Sequence, residues 1–253
     1  MPKRTSPAVQ APRRSVLSDE TYDMVKAMIM SHNIAPGQKV NIDALAKKLK
    51  VSQTPIREAL ARLESDGLIE KVPLKGYTAT SLLTLKEFDE LFQFRLLIEP
   101  WAAELAAKRI DSVGKAALEA ELQSAKTALK FKDMEKVEAF TEHDSRFHLL
   151  ITKISGNDSV TDSFERTHCH LHLFRLFVAS QSQTLPGEMK AKFVQDLFKH
   201  YYQSSSGQIT IKEHEAIAAA IISKNGKSAK ALMQKHIQQS LKRFSPAAKA
   251  INA

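Results

Sequence analysis

The chain has 253 residues, enough for two domains or one large one with a proper core, and its net charge is +9. Eight Gly and nine Pro are few for an all-β protein, while abundant Ala, Leu, Lys and Glu favour helix. The one cysteine, Cys169, excludes a disulfide framework, no apolar run approaches the roughly 20 residues of a membrane span, and the N-terminus lacks a signal-peptide core, so a cytoplasmic protein without a membrane partner is expected.

Residues 1–80 carry 13 Lys and Arg against 8 Asp and Glu, a basic excess that suggests a polyanion partner at this end. Residues 1–17 read as a flexible basic arm, either lying along phosphates or without a role. Ser18 is expected to cap a helix to about His32, which Pro36-Gly37 breaks. Asn41 caps a short helix with Leu45, Ala46 and Leu49 on one face, and a third helix begins near Ser52 and stops at Asp66-Gly67, with Ile56, Leu60 and Leu63 at helical spacing. Leu68–Val72 and Tyr77–Thr80 form a small hairpin around Pro73-Leu74-Lys75-Gly76.

From Thr84 the pattern is helical. Thr84-x-x-Glu87 is a capping box opening a helix to about Ile110, kinked at Pro100. Further helices are expected over 113–131, 134–155, 158–181 and 187–203. A second capping box, Thr210-x-x-Glu213, opens a helix to Lys224, and another runs from Ser228 to about Phe244; Gly156 and Gly226 read as C-terminal stops. The expected fold class is mainly α, with a basic arm (1–17), a winged helix-turn-helix with a small β-hairpin wing (18–81), an all-α antiparallel helical bundle (82–245) and a tail (246–253).

A winged helix-turn-helix inserts its third helix into the major groove of duplex DNA. Gln53 and Thr54 can bond base edges, Arg57 can pair with phosphate or guanine, and Lys75 and Gly76 suit the wing tip. The alternative is that Gln53 and Arg57 are merely solvated. The run VSQTPIREALARLESDGLIEKVPLKGYTAT, with APGQKVNIDALAKKLK before it, resembles the recognition helix and wing of the GntR family of bacterial regulators. That family usually has Arg where this chain has Gln53, so its operator sequence does not carry over.

In the bundle, Asp144 and His148 lie one turn apart on a face shared with Val137, Phe140, Phe147 and Ile151, while His214 and His236 sit on the apolar stripes of two later helices. One carboxylate and three imidazoles can satisfy one another through a divalent metal, or form a hydrogen-bonded polar core. His-rich ligation suits Zn²⁺ or Ni²⁺, and the Asp admits Mn²⁺ or Fe²⁺. DSRFHLLITKISGN and EHEAIAAAIISKNGKSAKALMQKH resemble the FCD effector domain of the FadR subfamily, where an Asp-x-x-x-His pair and two later histidines hold a metal; that set maps onto Asp144, His148, His214 and His236.

Arg95 and Glu99 share a buried-looking stripe, as an internal ion pair or with Arg95 receiving an acidic effector, the ligand class the resemblance implies. His168, Cys169, His170 and His172 form a cluster that can line an effector cavity or supply a rival metal site; His168, His172 and Arg175 fall on one helical face and are candidate effector contacts, with Cys169 and His170 expected at the surface or an interface. The resemblance implies a ligand-responsive homodimeric repressor of a palindromic operator. A metal-dependent hydrolase or oxygenase with a DNA-binding head, and an architectural DNA-binding protein, are the alternatives.

Overall fold

The computed structural model describes residues 14–74, 76–181 and 206–252, and the chain divides into two compact units between Ser81 and Leu82. The first contains α1 (Arg14–Met30), β1 (Lys39–Val40), α2 (Ile42–Leu49), α3 (Gln53–Ser65), β2 (Ile69–Val72) and β3 (Gly76–Ala79). α1 starts at Arg14, so Ser18 lies within the helix and does not cap it, and the end of the expected arm is helical. Thr21 reinforces that extra turn by donating its hydroxyl to the Leu17 carbonyl at 2.6 Å. Residues 1–13 lie outside the described residues.

Asn41 caps α2 as expected, its side-chain oxygen accepting from the Ala44 N–H at 2.9 Å. Lys50, in the left-handed region at φ 56°, closes the helix. Val25 and Ile29 of α1 meet the buried Ile56, Ala59, Leu60 and Leu63 face of α3, and each such side chain contributes about 1.5–3 kcal/mol by leaving water. The hairpin forms in antiparallel register from Ile69 opposite Ala79 to Val72 opposite Gly76. β1 adds a third strand in the order β1-β3-β2. Two residues carry no periodicity, so only the pairing reveals this strand.

The second unit is entirely helical among its described residues: α4 (Leu85–Arg109), α5 (Ser112–Ala128), α6 (Asp133–Ser155), α7 (Asp158–Glu165), α8 (Cys169–Gln181), α9 (Ser206–Ile222) and α10 (Gly226–Asn252). The Thr84 capping box is present in both directions. α4 continues as one helix through Pro100, which is buried. α4 packs along α10 and α6, α5 against α6, and α9 against α10, which places the core between these helices.

Four expectations change. The single helix over 158–181 is two, because His168 adopts φ 44° and turns the chain between α7 and α8. Thr210 is inside α9 and forms no capping box, which leaves Glu213 available to α10. Gly226 opens α10 and does not stop α9; Lys224, at φ 59°, makes the turn, and Asn225 caps α10 through the Ser228 N–H at 3.0 Å. A side chain at Gly226 would come within 3.0 Å of the Glu104 carbonyl oxygen, so close helix approach explains this glycine. The residues expected as a tail continue α10 through Pro246, with Ala247 and Ala248 buried. The helix expected at 187–203 lies outside the described residues.

Gly156 does end α6, in the left-handed region at φ 66°. A Cβ here would lie 2.6 Å from Arg109 Nη1, which donates to the Ser155 and Gly156 carbonyls at 2.7 and 3.0 Å. Gly156→Ala is therefore expected to destabilise the protein by about 2–3 kcal/mol, combining the left-handed penalty with disturbance of the Arg109 bonds. Thermal melts of the parent and variant measure this, as a fall of several degrees in Tm.

Candidate functional site

In the first unit, the start of α3 is presented to solvent: Gln53, Thr54 and Arg57 are exposed, while Pro55 and Ile56 turn inward. The apolar spacing of α3 dictates this, because burying Ile56, Ala59, Leu60 and Leu63 leaves the opposite face outward. Gln53 donates from Nε2 to Asp43 Oδ1 and accepts from Arg57 Nη2 at 3.2 Å. Gly76, at φ 89°, has open space around its Cα, and the neighbouring Leu74, at φ 63°, is fully exposed at the hairpin tip. Lys75 lies outside the described residues.

In the second unit, three helices converge their polar groups. Asp144 and His148 come from α6, His214 from α9 and His236 from α10, and one potential ligand atom from each lies within 4.8 Å of all the others. All three histidines are buried, and the Asp144 side chain is 22% exposed although its Oδ1 is sealed from solvent. His148 Nε2 is 3.2 Å from His236 Nε2, and Asp144 Oδ1 is 3.3 Å from His214 Nε2 and 3.8 Å from His148 Nε2.

Protons cannot satisfy this arrangement when the imidazoles are neutral. His148 Nδ1 faces Glu99 Oε2, and His236 Nδ1 faces Glu213 Oε2 at 2.6 Å. A carboxylate accepts only, so each Nδ1 carries the proton and each Nε2 is a bare lone pair. The third imidazole reaches the same state through a relay: His143 Nδ1 faces Glu121 Oε1 at 2.9 Å, and His143 Nε2 faces His214 Nδ1 at 2.9 Å. His143 therefore donates to Glu121 and accepts from His214, which leaves His214 Nε2 bare as well.

Burial drives the His148 imidazole down to about 4 despite Glu99, and drives His214 well below its usual range. Burial opposes ionisation of Asp144, but His170, whose Nε2 faces Oδ2, leads the influences that outweigh it and hold the carboxyl well below its usual value. Three lone pairs and a carboxylate oxygen thus converge with no donor between them, and Asp144 Oδ1 and His214 Nε2 have no aligned hydrogen-bond partner. Such a set suits a divalent cation. With metal–nitrogen distances of about 2.1 Å, ligand atoms at 90–110° are about 3.0–3.4 Å apart, which matches two of the three close separations. The Nδ1 partners supply the outer-shell orientation that metal-bound imidazoles require.

The remaining candidates separate. Arg95 is buried and ion-paired with Glu99, with Nη1 3.3 Å from Cys169 Sγ and Nη2 without a hydrogen-bond partner. It thus adjoins the cluster through Glu99. His172 and Arg175 are on α8, where burial pushes Arg175 down to about 10 and, with Arg175 nearby, pushes His172 down to about 4. His168 lies in the turn before α8, at φ 44°, and its carbonyl accepts from the His172 N–H at 3.0 Å, which sets it at the N-terminal end of the helix that carries His172 and Arg175.

Cys169 and His170 are buried, contrary to the expectation of surface or interface, because α8 begins at Cys169 and turns both inward. His170 Nε2 lies 3.1 Å from Asp144 Oδ2, and its ring stacks on His148. The sequence singles out His170 only as part of the His168–His172 cluster, and does not single out His143, Glu121 or the orienting role of Glu213. The only local signals were His143 beside Asp144 and Glu213 beside His214; the contacts themselves bridge 22 residues or more.

Residues 90–239 match the FCD domain family, and residues 17–78 match bacterial regulatory proteins of the gntR family. The chain is 32% identical over 157 residues to the uncharacterized HTH-type transcriptional regulator YdhC of Bacillus subtilis, covering 61% of this chain and 68% of that protein. It is 28% identical over 229 residues to the HTH-type transcriptional regulator LutR of the same organism, covering 83% and 93%. Among solved structures, Escherichia coli McbR/YncC shares the fold with a TM-score of 0.60 at 20% identity, covering 89% of this chain and 95% of that one.

Proposed function

Because the chain belongs to the gntR family of bacterial regulatory proteins and carries an FCD domain, and is thus a DNA-binding transcriptional regulator and not an enzyme, we propose that it is a metal-dependent, ligand-responsive repressor acting in the cytoplasm. Asp144, His148, His214 and His236 hold a divalent metal, and a small organic acid binds there as effector. The observation that carries this reading is the convergence of three bare Nε2 lone pairs and a carboxylate, each imidazole oriented by an outer acid directly or through His143. Bound metal supplies Lewis-acid attraction for an effector carboxylate. Arg95, which adjoins the cluster through Glu99 and whose Nη2 has no hydrogen-bond partner, receives the effector carboxylate, and His172, Arg175 and His168 contribute to the wall around α8.

In the first unit, Gln53, Thr54 and Arg57 meet the major groove, and Lys75 and Gly76 belong to the wing. Two copies binding a palindromic operator fit a two-fold protein. On α4, Leu97 and Trp101, one turn apart and 75% and 41% exposed, form an apolar patch that a second copy can cover. No helix among the described residues is long and apolar enough to cross a membrane.

The test loads the protein with Zn²⁺ and measures its affinity for duplexes it selects from a random pool, with and without a panel of small mono-, di- and tricarboxylates. One acid class is expected to weaken DNA binding by roughly 5–150-fold, the usual range of allosteric coupling. Unchanged DNA affinity across the panel, with metal bound, would refute effector control.

A further inference from the structure

We infer that Asp43 is a specificity-determining residue of the duplex interface, reading bases as one hydrogen-bonded unit with Gln53 and Arg57. This rests on α3 being the groove-binding helix. Asp43 is exposed in the first turn of α2, and Gln53 and Arg57 are exposed on α3. Gln53 Nε2 donates to Asp43 Oδ1, and Arg57 Nη2 donates to Gln53 Oε1 at 3.2 Å. These charged neighbours fix the amide orientation. Turned over, its carbonyl would face the Asp43 carboxylate and its amino group the Arg57 guanidinium, both repulsive. The exposed face therefore presents an acceptor on the α2 side and donors on the Arg57 side, with the glutamine polarised between them.

A carboxylate on a DNA-facing surface acts by exclusion as well as by contact. Phosphates repel it, and so do the acceptor atoms of a base edge, guanine O6 and N7 or thymine O4. It accepts only from an amino group, cytosine N4 or adenine N6. Arg57, anchored at one amino group by Gln53, keeps its other N–H groups for guanine or phosphate. A bare tie between α2 and α3 would not explain the charge, since these helices already pack against each other and each buries apolar residues, Leu45 and Ala46 on α2 and Ile56 and Leu60 on α3. As a specificity device, the unit combines attraction for one class of base edge with rejection of the other.

The experiment uses the full chain to select from a randomised duplex pool, followed by sequencing of the enriched DNA for the parent, Asp43→Asn, Asp43→Ala and Gln53→Ala. The parent is expected to enrich cytosine or adenine at one operator position. Asp43→Asn and Asp43→Ala lose that preference by roughly tenfold in base ratio, consistent with one good base contact, and bind unselected duplex more tightly because a negative charge is gone. Gln53→Ala alters preference at the same position. A structural tie would leave base preference unchanged, so enrichment of the parental sequences by both Asp43 variants overturns the inference. If the parent enriches no sequence, the duplex-reading assignment of α3 fails first and the inference with it.

Discussion

A His148→Ala protein is expected to bind divalent metal more than about 100-fold more weakly than the parent and to lose the metal-dependent part of its thermal stability. His148 is central to the cluster, with Nε2 3.2 Å from His236 Nε2 and 3.8 Å from Asp144 Oδ1. Its Nδ1 is committed to Glu99, whose carboxylate also pairs with Arg95, so removing the ring both deletes a ligand and leaves Glu99 with one partner in a sealed interior. The metal-free variant should therefore be less stable than the metal-free parent by roughly 2–4 kcal/mol, from the cavity and the lost bond. In the parent, metal at 100 times its dissociation constant adds about 2.7 kcal/mol, because it binds the native state alone. Zn²⁺ titration calorimetry and melts with and without a chelator measure both effects. An equal metal-induced rise in Tm in His148→Ala would place the metal on other residues.

Arg57→Ala should weaken binding to a selected operator by roughly 5–150-fold while leaving the fold and metal binding intact. The side chain is exposed, and it donates to the likewise exposed Gln53, so the stability change should stay within about 0.5 kcal/mol. Salt dependence separates its two roles. Loss of a phosphate contact lowers the slope of log K against log salt by about 1 and acts on every sequence alike, whereas loss of a guanine contact relaxes preference at one position. Fluorescence anisotropy across a salt series distinguishes the two. Equal affinity of the variant and parent would remove Arg57 from the interface.

Local chemistry carried much of this architecture in readable form. Asn41, the Thr84 capping box and Gly156 each act within four residues of their own position, so their roles are visible in the chain itself. Asp144 and His148 share a helix face for the same reason. The turn at His168 was not legible because no glycine or proline marks it; a histidine accepts a left-handed backbone there. Glu213 read as a capping residue because the Thr-x-x-Glu spacing is the same whether the helix starts at Thr210 or, as it does, a turn earlier.

By itself, the order of residues determined two things: a small winged unit followed by a helical one, and a set of acid and imidazole side chains on the inner faces of separate helices. Helical period and capping act over a few residues, which is why that much was already decided. Only packing decided which nitrogen of each imidazole points inward. That choice belongs to Glu99, Glu213 and the His143–Glu121 relay, whose contacts to the imidazoles join groups 22 to 71 residues apart. A proton goes to whichever nitrogen faces a carboxylate, and that neighbour exists only once α4, α5, α6, α9 and α10 have come together.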